Sequence, residues 1–123
     1  MKLDLDLMRK ILLRIEEKPE VPPRTLCIED FLDLCDNPYV VSLHISLLND
    51  GGFIEVMNET YVGDLKDFAI VRLTLKGYTY LDAVRNAKVW KNVKDRISSF
   101  GNVAFDIIKD LATEQIKREL NLS

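Results

Sequence analysis

The side chains of this chain that could do chemistry are few, and most fall within one short run. Tyr39, Ser42, His44, Ser46 and Asn49 place hydroxyls, an imidazole and an amide close together. His44 is the lone histidine, and no serine or cysteine nucleophile with a matching acid stands out beside it. Acid–base or nucleophilic catalysis is therefore not the expected chemistry, and no enzyme is expected. Cys27 and Cys35 are the two cysteines. On one short helix they would lie more than a turn apart, too far for a disulfide. Two thiols and one imidazole cannot close a four-ligand zinc site. Reduced, buried thiols are expected, with neither a metal nor a cofactor. What remains for the polar run is hydrogen bonding.

At helical spacing, Tyr39, Ser42, Leu43, Ser46 and Asn49 are expected to form the exposed face of one helix, with His44 on its flank. Hydroxyls and amides on such a face can reach phosphates and base edges. Leu43 among them suits a protein partner or a thymine methyl better than a phosphate. Charge is distributed unevenly around this run. The whole chain carries −3, residues 1–37 carry −3, residues 38–67 carry −4 with Lys66 as their one cation, and residues 68–123 carry +4. The dense basic cluster is Arg85, Lys88, Lys91, Lys94 and Arg96, opposed only by Asp95. Lys88, Lys91 and Lys94 share one helical face, away from Trp90 and Val93. Such a run is either a solvated face or a grip on a phosphate backbone or an acidic protein. DNA affinity comes largely from neutralised phosphates, so the −4 segment counts against DNA at the polar run itself.

The elements that must position these residues follow from the apolar spacing. Asp4 or Asp6 can cap a first helix to about Glu17, with Met8, Ile11, Leu12 and Ile15 inside. Pro19, Pro22 and Pro23 force an extended connector. A short helix is expected from about Ile28 to Leu34, burying Ile28, Phe31 and Leu32. Asn37-Pro38 then supplies a cap and a preset first turn for a helix with Val41, Ile45 and Leu48 inside. Gly51-Gly52 stops it. Phe53–Met57 and Phe68–Leu75 read as strands, the second with Val71, Leu73 and Leu75 on one face, and residues 58–67 read as the loop between them. Thr74 caps a helix that ends near Asn86, in which the small Gly77 permits close approach to a neighbour. Trp90, Val93 and Ile97 mark another helix. Asn102 can cap a last one, from Val103 to about Leu120, apolar at Ala104, Ile107, Ile108, Leu111, Ala112 and Ile116. No window of eighteen apolar residues marks a membrane span, and the first ten residues lack the pattern of a signal peptide, so a cytoplasmic protein is expected.

Two resemblances add to this. The run VSLHISLLNDGGFI, Val41 to Ile54, resembles the recognition helix of ArsR- and MarR-like winged-helix repressors. The string RLTLKG, from Arg72, resembles the close of the wing in MarR- and PadR-like proteins. Taken end to end, the chain also resembles a family of small bacterial and phage proteins classed as a domain of unknown function. The matching pieces lie at Met1–Leu13, in the VSLHISLL run, at Arg72–Arg85 and at Trp90–Lys94. Here Leu75-Lys76-Gly77-Tyr78 stands where such members often read W-E-G-H.

The resemblance implies an α+β winged helix-turn-helix with a two-stranded wing. It would span residues 1–87, with a helical extension, 88–123, packed on it or dimerising, in one compact domain overall. Two functions are carried forward. In one, the chain is a DNA-binding transcription regulator of phage or prophage origin, reading double-stranded DNA with Tyr39, Ser42, Leu43, His44, Ser46 and Asn49 and touching phosphates with Lys66, Lys88, Lys91 and Lys94. In the other, the same surface docks a host or phage protein. A homodimer through residues 103–120 accompanies either, and the alternative use of that helix is packing on the chain itself.

Overall fold

The computed structural model describes residues 2–18, 24–97 and 105–121. It is a mixed α+β protein, with five α-helices and one two-stranded antiparallel sheet among the described residues. Two compact units divide it within the third helix, Met1–Tyr78 and Thr79–Ser123. No helix among the described residues is long and apolar enough to cross a membrane.

In the first unit, α1 (Leu5–Glu17) starts at Asp4, whose carboxylate accepts from the Leu7 amide at 3.0 Å. Its buried face is Leu7, Met8, Ile11, Leu12 and Ile15, the expected stripe extended by one residue. The helix ends at Lys18, which is extended (ψ 130°) as a residue before proline prefers. The expected proline connector lies outside the described residues.

The helix expected over Ile28–Leu34 is instead a four-residue 3₁₀ turn, Ile28–Phe31, followed by further turns. The amide bonds here run three residues back, from Asp30 to Cys27, Leu32 to Glu29 and Leu34 to Phe31. The Arg14 guanidinium donates to the Asp30 carbonyl at 2.6 Å and ties the turn to α1. Ile28 and Phe31 are buried as expected, and Leu32 is half-buried.

Helix α2 (Pro38–Asp50) follows its sequence closely. Asn37 accepts from the Tyr39 amide at 3.0 Å, Pro38 opens the first turn, and Val41, Ile45 and Leu48 are fully buried. Gly52 ends the run with φ +80°, a conformation that a Cβ would strain.

The hairpin departs from expectation. Strands β1 (Ile54–Val62) and β2 (Leu65–Leu73) run through most of the stretch read as a loop. Thr60-Tyr61-Val62 is a β-favouring triplet, and Val62 pairs with Leu65 across a two-residue turn. In that turn Gly63 has φ +65° and Asp64 does not have positive φ, the pattern of a type II′ turn. The face of β2 is also corrected. Phe68, Ile70 and Leu73 are buried, Val71 is only half-buried, and Leu75 is 82% exposed at the start of the next helix. Irregularities near Val56 leave Val71 without a registered partner, so alternation skips one residue there. Arg72 and Glu55 pair across the strands at 2.8 Å. Leu26 adds a bridge to Ile70 on the outer side of β2.

Helix α3 (Leu75–Val84) begins where Thr74 accepts from the Gly77 amide and donates to the Gly52 carbonyl. Gly77 is required by close approach: a Cβ there would stand 2.1 Å from the Phe53 carbonyl oxygen. In the second unit, α4 (Ala87–Ile97) is capped by Asn86 and buries Val89, Trp90, Val93 and Ile97. Helix α5 (Phe105–Asn121) packs on α4. The cap expected at Asn102, and Val103 and Ala104 with it, lie outside the described residues. Ile108 and Ala112 are buried within the single chain, which occupies the centre of the stripe expected to dimerise, while Ile107 is exposed.

Candidate functional site

Four polar residues of α2 share a face, Tyr39, Ser42, Ser46 and Asn49, at i, i+3, i+7 and i+10. The β1–β2 hairpin engages three of them. Tyr39 donates its hydroxyl to the Asp64 carboxylate at 2.7 Å, and that bond holds the phenol above its ordinary pKa. Ser42 donates to the Lys66 carbonyl at 2.6 Å. Asn49 makes a longer contact, 3.4 Å, to Glu59. The expected solvent-facing readout surface is therefore turned toward the hairpin. Ser42 is a direct correction, because it is only 8% exposed. Ser46 and Asn49 are half-buried, and Tyr39 keeps one exposed edge.

His44 is the second correction. It is fully buried, and both ring nitrogens are engaged inside the chain. The Asp4 amide donates to Nε2 at 2.8 Å, so Nε2 is the acceptor and Nδ1 carries the proton. Nδ1 then donates to the Val40 carbonyl at 2.7 Å. This histidine ties the start of α1 to the middle of α2. Its single-histidine context gave no signal for this role, since the acceptor's donor lies 40 residues away.

Lys66 is half-buried, paired with Glu59 at 3.1 Å and set 5.5 Å from the centre of the Phe68 ring. Glu59 raises its pKa. The other cation of the hairpin, Arg72, is paired with Glu55, so the hairpin presents no uncompensated positive charge. In the second unit, Lys88 and Lys91 are exposed and Lys94 is half-buried with its ammonium 5.9 Å from the Trp90 ring centre. Arg85 and Arg96, expected in the same basic cluster, pair with Asp82 and Glu114.

Away from the hairpin, α2 sets Leu43, which the sequence had marked as suited to a protein partner, beside Val40 and Leu47, which it had not. Val40, Leu43 and Leu47 stand at i, i+3 and i+7 on the outward side, half-buried except for Leu47, which is 38% exposed. Exposed Asp36 precedes this strip and exposed Asp50 ends it. The signal was present in the sequence as a gap: from Thr25 through Leu65 there is no Lys or Arg, against eight acidic residues. A separate hollow of about 380 Å³ lies between Arg14, Arg24, Leu26, Asp30 and Asp33. Four of its charged residues are paired, Arg14 with Asp33 by two bonds of 2.8 Å and Arg24 with Asp30 at 2.9 Å.

The family described as "Hypothetical protein (DUF2513)" matches residues 2–103. The chain belongs to the DUF2513 family. A Haemophilus influenzae relative, named "Uncharacterized protein", is 33% identical over 121 residues, covering 98% of this chain and 99% of its own. No solved structure matches this DUF2513 chain.

Proposed function

We propose that this DUF2513 protein is a non-enzymatic interaction module of winged-helix type, in which α2 docks a protein partner rather than DNA. The order of 3₁₀ turn, α2 and a β-hairpin supports the winged-helix arrangement. The observation that carries the docking reading is the disposition of α2 itself. Three of its four polar residues bond to the hairpin, and its outward strip is Val40, Leu43 and Leu47 bounded by carboxylates. Such a strip repels phosphate and favours apolar burial.

DNA binding is the second reading, favoured by the exposed Lys88 and Lys91 on α4. A mobility-shift titration at low salt separates the two. The docking reading expects no shift on random duplex. A shift that falls steeply with salt and is lost in the Lys88→Glu/Lys91→Glu variant would replace it with the DNA reading. On the positive side, a photo-crosslinking residue at position 43 should give discrete protein adducts in cells, and one at position 91 should not.

A further inference from the structure

The outward strip of α2 has a charge and a direction as well as an apolar centre, and together they specify an occupant. Val40 to Leu47 span about 10 Å of helix, the length of two turns, which suits another helix better than an extended strand. Leu43 lies midway, where an anchor residue would be most fully desolvated. Asp36 and Asp50 are exposed at the two ends, and Asp50 lies within electrostatic reach of Lys66 on the hairpin. The last turn of α2 contains no basic residue, so its negative dipole end is reinforced by Asp50. No Lys or Arg occurs in α2 or in the stretch that leads into it from Thr25.

Resting on the docking reading above, we infer that the occupant is a cationic amphipathic helix laid antiparallel on α2. Its apolar residues, spaced i, i+3 and i+7, cover Val40, Leu43 and Leu47, and its Lys or Arg residues meet Asp36 and Asp50. The antiparallel direction brings the positive N-terminal end of the partner helix against the α2 C-terminus. Charge at the rim sets partner choice and encounter rate, while the apolar centre holds the complex.

The test uses the full chain labelled with ¹⁵N and two synthetic helical peptides that share one apolar pattern, with Lys at every polar position in the first and Glu in the second. The Lys peptide is expected to shift the amides of residues 40–47 and to bind with Kd of about 100 µM or tighter. Binding should weaken at least about tenfold in the Asp36→Lys/Asp50→Lys variant, which alters only exposed positions. Leu43→Asp should remove it, with circular dichroism confirming that the variant is folded. A nitroxide at the peptide N-terminus should broaden amides near Asp50 and spare those near Asp36. Equal binding of the two peptides, no binding of either, indifference to the charge reversal, or shifts centred outside α2 would overturn the inference. Crosslinks from position 43 would then show whether the docking reading survives it.

Discussion

Helices α2 and α4 both carry conspicuous polar residues on one face, and the structure uses them in opposite ways. On α2, Ser42 is buried against the Lys66 carbonyl, while the exposed Tyr39 and half-buried Asn49 bond to Asp64 and Glu59 of the hairpin. On α4, Lys88 and Lys91 lie on the exposed side while Trp90 and Val93 are buried. The difference is one of side-chain chemistry. A short hydroxyl or amide is easily satisfied by a neighbouring backbone or carboxylate, so it can be buried at little cost. An ammonium is costly to bury and stays at the surface. A polar residue at a motif position is therefore weak evidence of a free readout face, whereas a lysine there would be strong.

The comparison breaks first at the core side of α2. Leu48→Ala should cost roughly 2–5 kcal/mol in urea denaturation, because Leu48 is fully buried. A loss below about 1 kcal/mol would mean that α2 is not held by its inner face. His44→Ala comes next. It leaves the Asp4 amide and the Val40 carbonyl without their partner, and each orphaned group costs about 1–3 kcal/mol unless water reaches it. Ser42→Ala should cost about 1 kcal/mol through the lost bond to Lys66. Lys91→Ala should stay within about 0.5 kcal/mol, as exposed surface substitutions do. If these last two fell in the reverse order, the assignment of α2 as structural and α4 as surface would be wrong.

The smallest effect is one of pH. The Arg14 guanidinium holds the Asp33 carboxyl below its usual value. A carboxyl lowered in this way contributes stability that is present above its unfolded pKa and lost as pH falls through the lowered folded one. Asp33→Asn should therefore remove a small part of the acid-side slope in a thermal-melt series and leave the neutral-pH region of that slope unchanged.

Much of the fold was legible because its signals are local. The Asp4 and Asn37 caps, the Gly51-Gly52 stop, the Thr74 start and the stripes of α1, α2 and α4 all rest on residues within a few positions of one another. What was not legible depended on partners distant in sequence. The Arg14 bond to the Asp30 carbonyl, which ties the 3₁₀ turn to α1, joins positions 16 apart. The long hairpin, and the skip that turns Leu73 rather than Val71 inward, came from cross-strand register that no single strand reveals. The same holds for the site. Tyr39, Ser42, Leu43, Ser46 and Asn49 were placed on one helix correctly, but which side of it faced solvent depended on where the hairpin lay. His44 was misplaced because its partner, the Asp4 amide, lies 40 residues away.

One bond described above offers a native reporter. The Asp4 amide donates to a side chain in the middle of α2, so its hydrogen cannot exchange with solvent until that link opens. Closing it joins segments 40 positions apart, a loop whose entropy must be recovered from contacts made elsewhere in the unit. Deuterium uptake at Asp4 should consequently track the integrity of α2 more faithfully than uptake at its immediate neighbours in sequence. A ligand that rigidifies α2 would slow exchange at the opposite end of the link, at a residue it never touches.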